Sequence, residues 1–353
     1  MKKILFVNPT PTMSTFVAQD RDILARHFEV TILPWRKAGD ALGLGREIHR
    51  HDAAFSWFVS HHSAATALLG RAAGRPSVVV AAGEDVSPPE VFAQSWRRRD
   101  FWAARIAVSQ SDLVLAISRT PFEEARWLRG RRARSEMRLV HCGIDTHWFS
   151  PAGPRDRLVL SVAVIFRDSA ARKRLALLVR AASLLPEVRF VIAGAQLDGT
   201  ARQLMETAPA NVEFPGEPSP DGLRDLYRRA AVYVQASRHE GFGVANAEAM
   251  ASGCVPVVTR EGALPEVVGD AGVYVETPTP EGLAEAIRRG LASDLGKRAR
   301  QRIIDHFSLE RREAALVLAM EDALSGRLIR GRYEPPPPVP GTARPAAGST
   351  PAS

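Results

Sequence analysis

The chain has 353 residues, enough for two domains that each bury a core. Hydrophobic residues make up 45% and charged residues 24%, which excludes a disordered chain, a fibrous repeat and a disulfide-stapled miniprotein. The net charge is +8, but only five of the 47 basic residues are lysines, so the excess reads as coding bias rather than a nucleic-acid-binding face.

No run approaches 18 apolar residues, so nothing is long enough to span a bilayer. Cys142 and Cys254 lie far apart without a CxxC or Cys/His cluster, which argues against a zinc site or a disulfide framework. The first residues lack the apolar stretch and cleavage site of a signal peptide. The expected location is the cytoplasm. Residues 1–150 hold 21 basic against 15 acidic residues, the remainder 26 against 24. That asymmetry suits an acidic substrate or peripheral contact of the N-terminal half with an anionic membrane face.

In chain order, short β-rich runs predict strands over 3–7, 30–33, 53–59, 77–81, 113–117 and 137–140. Helix-length segments fall between them at 16–27, 64–73, 91–109 and 121–128. Parallel strands need such crossovers, so this half reads as a doubly wound α/β sheet. Proline and glycine at 149–154 mark a linker. The rhythm then restarts with strands over 158–164, 189–193, 212–214, 232–235, 255–259 and 273–275. The intervening helices fall at 173–184, 201–207, 220–229, 244–251 and 281–292, and further helices run to about 328. Gly194 marks a strand end where the backbone approaches something closely. The proline-rich tail over 333–353 is expected to be disordered. The default ligand site lies between the two domains, beyond the carboxyl ends of the strands.

The most informative run extends from Ser237 to Gly253. Gly241 and Gly243 let the backbone turn sharply, and the helix that follows offers unpaired N–H groups to an anion. Glu240 precedes the helix and Glu248 lies about one turn inside it. Beside a bound phosphate, two carboxylates are better suited to accept hydrogen bonds from sugar hydroxyls. The pattern describes a nucleotide-sugar site.

The run E-G-F-G-x-x-x-x-E-A-M-A-S-G resembles the signature of the retaining family-4 glycosyltransferases (glycosyl transferases group 1), which have the GT-B fold. Four further segments resemble the same family in order: Asp112 to Ser118, Val140 to Phe149, Thr259 to Val268, and Phe307 to Arg311. Cys142 stands where that family usually has asparagine, and Ala263 where it has glycine.

The resemblance implies an α/β GT-B architecture of two Rossmann-like domains facing across a cleft. An acceptor-side domain is expected over 1–150 and a nucleotide-sugar-binding domain over 151–310. A closing helix region over 311–332 then returns towards the first. It also implies roles. Glu248 would bind the donor ribose and Glu240 the transferred sugar. The amides from Phe242 through Gly243 and Val244 to Ala245 would cap the diphosphate, and Lys173 would neutralise it. The usual arginine position holds Asp168, so Arg167 or Arg172 would substitute. Phe214 and Gly216 sit where the family holds the nucleobase.

The implied reaction is sugar transfer with retention from a nucleotide-diphosphate donor to a hydroxyl of a glycan, a lipid-linked glycan or a small molecule. The departing phosphate would take the acceptor's proton, and neither metal nor other cofactor is expected. Glu84, Asp85, His61 and His62 are the acceptor-side candidates. Two alternatives remain: a nucleotide-sugar epimerase of the same fold, and a nucleotide-sugar-binding relative without transferase activity. The stretch from Trp96 to Arg105 mixes arginine with aromatics. A helix with a packed aromatic face and a solvated arginine face is the favoured reading, and membrane docking the other.

Overall fold

The computed structural model describes residues 1–8, 13–88, 98–130 and 133–332. The chain divides into two compact units. Among the described residues, one joins residues 1–143 to 307–332, and the other runs from Ile144 to His306. These boundaries fall a few residues before the expected 150 and 310.

The first unit contains β1 (Lys3–Asn8), α1 (Thr15–His27), β2 (Glu29–Pro34), α2 (Ala41–Ile48), β3 (Ala53–Trp57) and α3 (His61–Ala72). It continues with β4 (Ser77–Ala81), α4 (Arg98–Gln110), β5 (Leu113–Ala116), α5 (Arg119–Arg129) and β6 (Glu136–Leu139). All six strands are parallel, in the order β2-β1-β3-β4-β5-β6. The central strands β3, β4 and β5 are buried at every position, as a parallel sheet covered on both faces requires.

The second unit contains β7 (Asp156–Val162), α6 (Arg167–Arg172), α7 (Leu175–Ala182), β8 (Arg189–Ala193), α8 (Thr200–Thr207) and β9 (Val212–Glu213). There follow α9 (Pro220–Arg229), β10 (Ala230–Gln235), α10 (Val244–Ala251), β11 (Val255–Val258), α11 (Leu264–Val268), β12 (Val273–Tyr274), α12 (Pro280–Leu291) and α13 (Gly296–Phe307). Its parallel sheet runs β12-β11-β10-β7-β8-β9. Strand order reverses between β7 and β10, and open parallel sheets bind ligands beyond the strand ends at that switch point.

Local chemistry sets several boundaries. Ser219 and Thr279 each precede proline, and each hydroxyl accepts the amide three residues on, Gly222 and Gly282 respectively. A capping oxygen followed by proline at the first helical position starts both helices. Gly194 (φ +143°) passes so close to the Ala163 carbonyl that a Cβ would lie 1.8 Å from its oxygen, the close approach its position predicted.

Within the first unit, the last helix, α14 (Leu309–Leu324), places Arg312 against α1. Its guanidinium pairs with Asp20 in the interior, each side chain about 2% exposed, and donates to the Val140 and His141 carbonyls. Trp57 Nε1 donates to the same carboxylate at 2.9 Å. Local periodicity gives no sign of this pairing, because the two charged partners lie 292 residues apart.

Three expectations change. The helix expected over 173–184 is α7, which starts at Leu175, and a separate helix, α6, precedes it; Arg174 adopts a left-handed conformation (φ +51°) between them. Helix α3 starts at His61 rather than 64, and α2 and α11 are additional. The aromatic face of α4 is packed only in part, the half-buried Phe101 lying against the core. Trp102 is 57% exposed, and Trp127 on α5 is 51% exposed. The start of the helix expected at 91, with Trp96, lies outside the described residues, as do residues 9–12 and the tail at 333–353. Among the described residues, no helix is long and apolar enough to cross a membrane.

Candidate functional site

At the carboxyl ends of β7 and β10, the loop Ser237–Glu240 meets the junction of α6 and α7. Arg172 Nη1 lies 3.0 Å and Lys173 Nζ 3.1 Å from Glu240 Oε1. Ser237 Oγ donates to the same oxygen at 2.7 Å. Burial alone would raise the Glu240 pKa. The charges of Lys173 and Arg172, with the Ser237 hydrogen bond, outweigh that and hold it at about 2. Glu240 is therefore anionic at neutral pH, and the trio carries a net charge of +1.

The junction is tied down along its length. The Arg238 amide donates to the Arg172 carbonyl at 2.8 Å. Arg174 spans the loop on the other side, donating to the Ala236 and Ser237 carbonyls at 3.1 and 3.2 Å. A non-glycine residue at positive φ costs free energy, and these two bonds oppose that cost. From β11, Thr259 Oγ1 donates to the Ser237 carbonyl at 2.6 Å. Gly262 (φ +56°) lies so near Glu240 that a Cβ would meet its carbonyl oxygen at 2.5 Å, and the Ala263 amide donates to that oxygen.

Gly243 (φ +85°) turns the chain into α10. Ala247 is the first donor within the helix, to the Gly243 carbonyl, so the amides of Val244, Ala245 and Asn246 form its electropositive end. Phe242 is buried beneath the turn and Gly241 is half-buried. One turn in, Glu248 Oε2 accepts from Tyr227 on α9 at 2.9 Å. Burial pushes Glu248 up to about 7, and the Tyr227 bond offsets part of that rise. Tyr227 is itself fully buried, and its carbonyl accepts from Cys254 and Arg155.

The structure thus brings Glu240, Lys173 and Arg172 together. Arg167 is exposed at the start of α6, its amide bonded to Asp198, and does not join them. Of the two arginines considered, Arg172 stands beside Glu240. Phe214 packs on the core below β8 and β9, and the Gly216 carbonyl accepts from the Gly194 amide at 2.8 Å. Sequence reasoning misses Arg174, Tyr227 and Gly262. Only the lone Tyr227 among the arginines of α9, and the run of three cations at 172–174, hint at them.

In the first unit, Asp85 clasps the ends of β3 and β4: its carboxylate accepts the Val59, Ala82 and Gly83 amides at 2.7–3.0 Å. Burial raises it to about 6. His62 is held inward between Trp57 O and Ser60 Oγ, and burial lowers it to about 4, leaving a neutral ring. Both are engaged by the loop itself. His61 and Glu84 are exposed, His61 lying 3.6 Å from Asp100 on α4. Phe58, next to β3, adopts φ +68°. Among the described residues no group of three or more His, Cys, Asp or Glu is placed to hold a metal.

Two doubly wound parallel sheets in one chain define a GT-B fold. The crystal structure of Anabaena HepE in complex with UDP and glucose superimposes with a TM-score of 0.75 at 16% identity, over 91% of this chain and all of that one. Residues 146–305 match the family described as Glycosyl transferases group 1. The chain therefore has the GT-B fold, and its residues 146–305 are similar to that group.

Two curated relatives are similar over part of their length. D-inositol 3-phosphate glycosyltransferase of Mycolicibacterium gilvum is 32% identical over 181 residues, 44% of this chain and 39% of that one. Alpha-maltose-1-phosphate synthase of Mycolicibacterium smegmatis is 28% identical over 240 residues, 59% of this chain and 62% of that one. The chain spans about two fifths to three fifths of these relatives.

Proposed function

We propose that this chain is a retaining glycosyltransferase that takes a nucleotide-diphosphate sugar at the carboxyl ends of β7 and β10. The observation that carries the reading is the cationic trio beside a helix N-terminus. Arg172 and Lys173 outnumber Glu240 in charge, and the α10 amides add a partial positive end. A diphosphate leaving group develops negative charge there, and preorganised cations and amides stabilise it without reorganising.

Glu240, at about 2, does not donate a proton. In this reading it orients the two cations and accepts hydrogen bonds from the sugar. The departing phosphate takes the proton of the acceptor hydroxyl as the new glycosidic bond forms on the same face. Glu248 receives the ribose hydroxyls, and Phe214 to Gly216 hold the base. The named relatives are a transferase and a synthase, which does not favour an epimerase.

The test is nucleotide release from UDP-, GDP- and ADP-sugars in the presence of a chelator, beside Glu248→Ala. One donor turning over in the wild type and not in the variant supports the reading. Binding and turnover of none of them overturns it.

A further inference from the structure

Helices α4 and α5 of the first unit lie together, with Arg105 Nη1 donating to the Leu128 carbonyl across them at 3.1 Å. Their outward face carries Trp102 and Trp127, both more than half exposed. The half-buried Phe101 touches both indoles, with ring centroids 5.7 and 6.1 Å away, so the three form one continuous aromatic patch. Arg98 and Arg99 on α4 and Arg126 on α5 are exposed on the same pair of helices.

The charge is concentrated here as well. Residues 97–134 hold ten arginines against four acidic residues, whereas the rest of 1–150 holds eleven basic and eleven acidic residues. The entire +6 of the first half therefore sits on the segment that exposes the two tryptophans. A coding bias would spread arginine evenly and gives no reason for this clustering.

We propose that the α4–α5 face docks on the surface of an anionic phospholipid bilayer. Indole rings settle at headgroup level, where an apolar body and a polar N–H are both accommodated. Arginine stems cover apolar surface while their heads meet lipid phosphates. A large apolar ring area left in water within a cationic field fits that boundary. This proposal does not depend on the donor site, and its test uses neither donor nor acceptor.

The experiment is flotation of the full-length protein with vesicles of phosphatidylcholine alone, or mixed three to one with phosphatidylglycerol, at low and high salt. The expected result is binding to the anionic vesicles only, weakened at high salt as charges are screened. Trp102→Ser/Trp127→Ser and Arg98→Gln/Arg99→Gln each reduce the bound fraction, the arginine pair on the order of tenfold. Both variants keep the thermal midpoint of the wild type, because the four side chains are exposed. Equal binding to both vesicle types, no binding to either, or full binding by the folded variants overturns the proposal. So does tighter retention, through the same residues, on a single-stranded oligonucleotide than on anionic vesicles.

Discussion

Lys173 Nζ and Arg172 Nη1 converge on one oxygen of Glu240, 3.1 and 3.0 Å away, across 67 and 68 residues of sequence. The carboxylate is shared rather than matched one to one. A third acceptor entering beside it, such as a diphosphate, would meet both cations.

From that relationship, Lys173→Ala lowers kcat on the order of 10²–10³-fold, the effect of removing one preorganised donor. Arg172 and Ser237 still hold Glu240, so the fold survives. Glu240→Ala instead leaves two cations together and destabilises the second unit by about 2 kcal/mol, less than the loss of one partner of a fully buried pair because Lys173 and Arg172 keep access to water. Steady-state kinetics and urea unfolding, run side by side, separate the two. Equal stability losses in both variants contradict the shared-carboxylate account.

Glu248, held near 7 by burial, makes donor binding depend on pH. On the proposed reading its ionised form accepts the ribose hydroxyls, so the donor KM should rise as pH falls from 8 to 6. Glu248→Gln weakens binding and flattens that profile. Stability moves the other way. A raised carboxyl pKa means the native state holds its proton more tightly than the unfolded chain, so wild-type stability falls as pH rises from the unfolded value, about 4.5, through 7. Glu248→Gln should therefore raise the thermal midpoint at pH 8 and leave it nearly unaltered at pH 4. A midpoint difference independent of pH rules this out.

Arg174 and Gly262 support the loop without belonging to the cationic trio. Arg174→Ala keeps the left-handed backbone and loses both carbonyl bonds, so it destabilises by about 1–2 kcal/mol. Arg174→Gly loses the same bonds but relieves roughly 1 kcal/mol of backbone strain, so it is the milder of the two. Gly262→Ala drives a Cβ against the Glu240 backbone. It should cut kcat at least tenfold with a smaller change in donor KM, because it displaces Glu240 rather than the α10 amides. If Arg174→Gly is the more destabilising, the strain argument fails.

Asp20 tests the first unit alone. Asp20→Ala leaves Arg312 buried without its carboxylate, and should cost about 3–5 kcal/mol, seen as an earlier first transition in denaturant. Asp20→Asn retains a hydrogen-bond acceptor for the Trp57 indole and should cost less. Since two units need not unfold together, the second transition stays in place.

Much of this chain is legible from its residues alone. Runs such as Val78-Val79-Val80 and Phe190-Val191-Ile192 are apolar at successive positions, as strands buried on both faces must be, and they predict β4 and β8 directly. Gly241 and Gly243 ahead of a helix-forming run locate the α10 turn, because positive φ and a helix start are local properties.

What the tertiary structure alone decided is partnership. Periodicity starts a helix at 173, since nothing local reports that Arg174 bonds to carbonyls more than 60 residues on and sets the start at Leu175. Arg167 and Arg172 are equal candidates by position, and the α6 geometry brings only Arg172 to Glu240. Asp85 and His62 look available for ligand chemistry but are engaged by loop amides and carbonyls. The aromatic face of α4 is expected inside, and Trp102 stands outside beside Trp127 of α5. Backbone preference and burial period are written along the chain. Which charged or aromatic groups meet is set by which strand ends lie side by side, and that is known only once the sheets form.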